Sequence, residues 1–100
     1  MANASVHHVD GKDVGRVMMY ALSTCVWCKK TKALLNSLGV AYDYVDVDLL
    51  TGRERTDTVN EISRWNASRS FPTIVVNGET AIVGYDEIKL NTLAKGQGAA

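Results

Sequence analysis

The first sustained apolar signal along the chain is Val17-Met18-Met19-Tyr20-Ala21-Leu22, an unbroken run too short for a typical helix and rich in strand formers. It predicts a buried strand. From Lys29 to Leu38 the period changes: Leu34, Leu35 and Leu38 share one helical face, Lys29, Lys30 and Lys32 lie largely on others, and Gly39 stands just past the end. Ala41 to Asp48 then alternates large apolar with acidic residues, the pattern of a strand with one buried face. A strand, a helix and a strand in that order make a right-handed parallel unit the expected topology.

Thr51-Gly52-Arg53-Glu54 has the spacing of a capping box, and Val59, Ile62 and Trp65 follow at helical intervals. A second helix is therefore expected from Gly52 to Trp65, with Arg53, Arg55 and Arg64 on its solvated face. The polar stretch Asn66 to Ser70 reads as a loop leading into Phe71-Pro72-Thr73, where the chain's single proline opens a strand. Asn77-Gly78 between Thr73-Ile74-Val75-Val76 and Glu79-Thr80-Ala81-Ile82-Val83 is the preferred two-residue hairpin connection, since both residues accept positive φ. Gly84-Tyr85-Asp86-Glu87 offers a turn and an N-cap at Asp86, after which Leu90, Leu93 and Ala94 line one face of a last helix.

These elements predict an α/β fold: a mixed four-stranded sheet flanked by three helices, one domain over residues 16–95. Residues 1–15 show no sustained period and are expected to form a flexible leader with His7-His8 exposed, and 96–100 a flexible tail. Tyr20, Tyr42, Tyr44 and Trp65 have the spacing of packed residues, at the core or its edge.

Charge narrows the partners. Eleven Lys and Arg balance eleven Asp and Glu, interspersed along the chain, so no basic field exists to attract nucleic acid or anionic lipid. No segment has the apolar length of a signal peptide or a bilayer span, so a cytoplasmic setting is expected. In that reducing compartment a close cysteine pair points to catalysis or metal binding more than to a structural staple.

Both cysteines of the chain, Cys25 and Cys28, fall where the first strand gives way to the first helix. There Cys25 faces the unpaired N–H groups of the helix's first turn, whose partial positive charge favours a thiolate, and Lys29 and Lys30 add to it. Three residues is just under one helical turn, so a disulfide between the two sulfurs can open and close with little backbone movement. A zinc site needs four ligands, and two thiols plus two adjacent leader histidines do not provide its fixed geometry.

With Cys25-Val26-Trp27-Cys28 after a first strand, Phe71-Pro72-Thr73 before a hairpin and Gly84-Tyr85-Asp86 opening the last helix, the chain resembles the glutaredoxin branch of the thioredoxin superfamily. The matching stretch runs from Val17 to Leu93. The resemblance implies a thioredoxin/glutaredoxin-like fold and a dithiol-disulfide oxidoreductase, with Cys25 as nucleophile and Cys28 as resolving residue. It also implies a cis bond before Pro72, with Phe71 offering backbone groups to an extended peptide or to glutathione, and Gly84, Tyr85 and Asp86 on the substrate side. Asp86 matches the position that meets the amine of a γ-glutamyl group, capping of the last helix being the alternative reading. Trp27 is either a contact platform for substrate or a side chain packed on a neighbouring loop.

Departures from the family pattern sharpen the expectation. Thioredoxins carry a buried acid six residues before the first cysteine, and here Met19 stands there. Glutaredoxins usually have a lysine three residues before that cysteine, two glycines before the last helix and a proline after the first cysteine, where this chain has Leu22, Val83-Gly84 and Val26. The expected activity is thus reduction of protein disulfides with weak glutathione dependence. An ordinary glutathione-dependent deglutathionylating enzyme, an iron–sulfur cluster carrier and a non-enzymatic binding module are the alternatives. No tightly bound cofactor or metal is expected, with glutathione a candidate reductant. The expected partners are disulfide-bearing proteins and an upstream reductase: a thioredoxin reductase, a ferredoxin-dependent reductase or the glutathione system. The chain is expected to act as a monomer.

Overall fold

Strand β2 (Val17–Ala21) runs through the middle of the sheet, and its pleat divides the molecule in two. In the computed structural model, which describes residues 5–97, Val17, Met19 and Ala21 pack into one core with Leu35, Ile74, Ile82, Leu90 and Leu93. Met18 and Tyr20 point the other way and join Val45, Val47, Leu50 and Ile62. The apolar run of the sequence is apolar throughout because both faces are covered.

The elements follow in the order β1 (His7–Val9), β2, α1 (Val26–Ser37), β3 (Tyr42–Asp46), α2 (Gly52–Trp65), β4 (Thr73–Val76), β5 (Thr80–Val83) and α3 (Glu87–Thr92). A short 3-10 turn, Val47–Leu49, joins β3 to α2, and a wider helical turn, Leu93–Gln97, extends α3. The strand order is β1-β3-β2-β4-β5, with β2 and β3 parallel and the other neighbours antiparallel. Helices α1 and α3 contribute Leu35 and Leu90 to one core, and α2 contributes Ile62 to the other; all three are fully buried. Each such side chain adds about 1.5–3 kcal/mol. Gly39, at φ 70, closes α1 in the left-handed region, and the Val40 N–H then returns to the Leu35 carbonyl at 3.2 Å.

The mixed sheet and three flanking helices are as the sequence predicts, but the sheet has five strands rather than four. The fifth is β1, within the stretch expected to be a flexible leader. His7–Val9 is too short to show a hydrophobic period, and it is held by its neighbour: it pairs with Tyr42–Tyr44, His8 Nδ1 meets Asp43 Oδ1 at 2.6 Å, and His7 stacks on Tyr44 at 4.9 Å. A second tie follows, where Lys12 bridges to Val40 and Val14 is buried. His7 and His8 are exposed, as expected. Residues 1–4 and 98–100, the outer parts of the expected leader and tail, lie outside the described residues.

Three local expectations also change. The hairpin has Asn77 and Gly78 at φ 56 and 65, yet the register pairs Val76 with Thr80, so Glu79 belongs to the turn and not to β5. Thr51 is the N-cap of α2 but makes no side-chain capping bond, and Glu54 instead accepts from Ser5 Oγ at 3.1 Å. Helix α1 begins at Val26, three residues before its periodic apolar face becomes visible in the sequence, and this places both cysteines at its start.

Candidate redox site

Cys25 is the N-cap of α1. Its backbone is extended (φ −79, ψ 119), and its Sγ accepts the N–H of Cys28 at 3.2 Å, the contact that a serine or aspartate oxygen makes at an ordinary cap. No acidic residue stands in the first turn, so the positive end of the helix is answered by the sulfur. The two thiols differ in environment. Cys25 is partly exposed, whereas Cys28 is fully buried among the residues of the α1–α3 core. Burial first, and then the hydrogen bond with Cys25, push the Cys28 thiol up to about 12, against a smaller opposing effect of the Leu22 backbone.

The turn before α1 is one residue deep on each side of Ser23-Thr24. The Cys25 N–H donates to the Leu22 carbonyl at 3.2 Å, and the Ser23 N–H and hydroxyl both donate to the Asp48 carboxylate, at 2.8 and 2.5 Å. These bonds hold Asp48 below the usual carboxylate range. Leu22 itself packs on the α2-side core.

Beside the cysteines, Trp27, Phe71, Gly84 and Tyr85 line a cleft of about 230 Å³. The Trp27 and Tyr85 rings stand 5.7 Å apart, and the ammonium of Lys30 lies 4.7 Å over Trp27. Trp27 is 54% exposed, so of its two readings the packed one is limited to the contacts with Tyr85 and Lys30. The Phe71–Pro72 bond is cis, Pro72 is buried, and its carbonyl accepts the Gly84 N–H at 2.8 Å, which ties the loop before β4 to the loop before α3. Asp86 caps α3 by accepting the Lys89 N–H at 3.0 Å, and it does not line the cleft.

The structure thus brings Trp27, which stands between Cys25 and Cys28 in the chain, together with Phe71, Gly84 and Tyr85, while buried Pro72 is tied to Gly84 and Asp86 caps α3 outside the cleft. Two supporting residues had no signal in the sequence. Asp48 reads there as one acid of an alternating strand. Asn66 reads as loop, yet it is buried, and its side chain joins Ser68, Ser70 and Thr73. Among the described residues no three His, Cys, Asp or Glu side chains gather where they could hold a metal ion, and no helix is long and apolar enough to cross a membrane.

Comparison with known proteins bears on this geometry. The glutaredoxin family model matches residues 17–81. The crystal structure of the glutaredoxin from Methanosarcina mazei Go1 superposes with a TM-score of 0.83 at 54% identity, covering 89% of this chain and 87% of that one. Methanoredoxin from Methanosarcina acetivorans gives 0.81 at 51% identity, over 84% and 88% of the two chains. An uncharacterized glutaredoxin-like 8.6 kDa protein in the rubredoxin operon of Clostridium pasteurianum is 30% identical over 77 residues, 77% of this chain and 95% of its own length.

Proposed function

The chain belongs to the glutaredoxin family and is a thiol-disulfide oxidoreductase; within that class we propose that it reduces protein disulfides through Cys25 and Cys28, with weak use of glutathione. The observation that carries this reading is the asymmetry of the pair: a partly exposed Cys25 sulfur with the Cys28 N–H aimed at it, and a buried Cys28 kept as a neutral thiol.

The Cys25 sulfur, as thiolate, attacks one sulfur of the substrate disulfide. A Cys25–substrate bond forms, the substrate S–S bond breaks, and the leaving thiolate takes a proton. Cys28 then gives up its proton and attacks Cys25, which releases the second substrate thiol and closes the Cys25–Cys28 bond. Two electrons have passed from the dithiol to the substrate, and an external thiol reductant must restore the pair. The raised Cys28 value suits the order of events, because a residue that stays protonated does not compete for the first attack.

The cleft supports a polypeptide substrate: its walls are aromatic, and the Phe71 backbone beside it suits an extended chain. Weak use of glutathione follows from Leu22, which turns into the α2-side core where a cation would meet a glutathione carboxylate, and from Val83, 47% exposed where a glycine would let ligand come close. A cluster shared between two copies through bound glutathione fits these residues poorly for the same reason. A close cysteine pair that works as a dithiol suits a reducing compartment, and the proposed setting is the cytoplasm, with the protein acting as a monomer served by an upstream reductase.

The decisive experiment is reduction of a model protein disulfide and of a glutathione mixed disulfide, each driven in turn by glutathione with its reductase, a thioredoxin reductase and a ferredoxin-dependent reductase. Faster turnover of the protein disulfide is expected, with Cys28→Ser stalling at a trapped mixed disulfide. Preference for the glutathionylated substrate would overturn the reading.

A further inference from the structure

Both cysteines follow one turn, Leu22 to Cys25, and among the described residues the side chain that hydrogen-bonds this turn from another element is the Asp48 carboxylate. Leu22 accepts the Cys25 N–H at 3.2 Å, and Cys25 Sγ accepts the Cys28 N–H one turn on. Ser23, the residue after Leu22, gives both its N–H and its hydroxyl to the two oxygens of Asp48, at 2.8 and 2.5 Å. Asp48 lies on the 3-10 turn Val47–Leu49, and Val47 anchors that turn in the α2-side core while Cys28 belongs to the opposite core. The clamp therefore references the cysteine turn to the far side of the sheet, 25 residues along the chain.

We propose that Asp48 is a positioning residue which, through Ser23, holds the turn carrying Cys25 against Cys28 and so sets how readily the pair closes into a disulfide. The physical route is effective concentration. With the turn fixed, the dithiol form already keeps the Cys25 sulfur over the start of α1, and closing the bond orders little that is not ordered before. Without the clamp, the dithiol form gains freedom that closure must remove. The disulfide form, already cross-linked, gains less. Loosening the clamp should thus disfavour the oxidised pair and slow the attack of Cys28 on Cys25, while the first attack of Cys25 on an external disulfide, which needs only an accessible sulfur, changes less. This inference rests on the proposed dithiol cycle.

The test is a graded series: Ser23→Ala, which loses the hydroxyl bond alone, Asp48→Asn, which cannot accept both donors equally, Asp48→Ala, which loses both, and Ser23→Thr, which keeps both donors. Each is equilibrated with a dithiol reference of known potential, and closing of a preformed mixed disulfide is followed by rapid quench. Asp48→Ala should lower the equilibrium constant for closure about tenfold, ~30 mV toward a more oxidising potential, and slow closing by a similar factor. Ser23→Ala should fall between it and the parent, and Ser23→Thr should match the parent. Because the potential compares oxidised with reduced protein, a purely structural role would lower the thermal stability of both forms alike and leave it unmoved. That outcome, or equal potentials across the series, overturns the proposal. If the parent protein itself never closes the pair, the proposed cycle fails; if the parent cycles and the series is flat, only the role of Asp48 does.

Discussion

The backbone N–H of Cys28 points at the sulfur of Cys25 across 3.2 Å, so one residue of the pair steadies the other through its peptide while its own thiol stays out of solvent. Iodoacetamide should therefore label Cys25 almost exclusively at neutral pH, since Cys28 is both inaccessible and held as a thiol toward about 12. Peptide mapping after alkylation over a range of pH checks this. Preferential labelling of Cys28 would reverse the assignment of roles.

The same burial couples folding to alkaline pH. Between its usual 9.0 and about 12, Cys28 loses its proton in the unfolded chain and keeps it in the folded one. Its contribution to stability is thus whole below pH 9 and is lost as pH rises toward 12. Reduced parent protein should lose stability relative to Cys28→Ala as pH rises above 9 toward about 12, and the oxidised protein should not show this loss. Denaturant titrations of the three species supply the comparison, and parallel curves for reduced parent and variant would refute it.

Leu22→Lys should raise the rate with a glutathione mixed disulfide. One charge-assisted contact is worth about 1.5–3 kcal/mol, or roughly ten- to a hundredfold in affinity. The gain should appear in KM and leave the protein-disulfide rate within about threefold, since the bond that shapes the turn comes from the Leu22 carbonyl, which the substitution keeps. No gain, together with glutathione turnover already equal to that of the protein substrate, would show that another group meets the carboxylate.

Asn66 should matter for both stability and substrate. Its Nδ2 donates to Ser70 O, Ser70 Oγ and Thr73 Oγ1 at 3.1, 2.9 and 3.1 Å, and its Oδ1 accepts from Ser68. Asn66→Ala should cost about 1–3 kcal/mol and raise KM for a protein disulfide more than it lowers kcat, because the loop it braces delivers Phe71 and Pro72 to the cleft. A stability change within experimental error would show that the loop is held otherwise.

What was legible in the sequence is what repeats. The run Val17 to Leu22, the leucines of α1 and the positive-φ pair Asn77-Gly78 each carry a period or a turn preference that survives in the fold. The cysteine pair, its proline and the cleft residues were legible as spaced motifs. Strand β1 was not, because three residues show no period and their order comes from Asp43 and Tyr44, distant in sequence. Asp48 and Asn66 were hidden for a related reason: each acts through one partner set that only the folded chain assembles. Glu54 shows the converse, a capping spacing whose carboxylate is engaged by Ser5 instead.

Among the described residues Phe71 alone packs against both cores, the one under α1 and α3 and the one under α2. The same side chain forms a wall of the cleft. A change at this position selected for a new substrate would therefore be felt in both halves of the molecule at once, whereas Trp27, standing largely in solvent, is free to vary without that penalty. Divergence of specificity in this scaffold is then expected to run through the residue between the cysteines and to leave the one before the proline as a fixed point of the lineage.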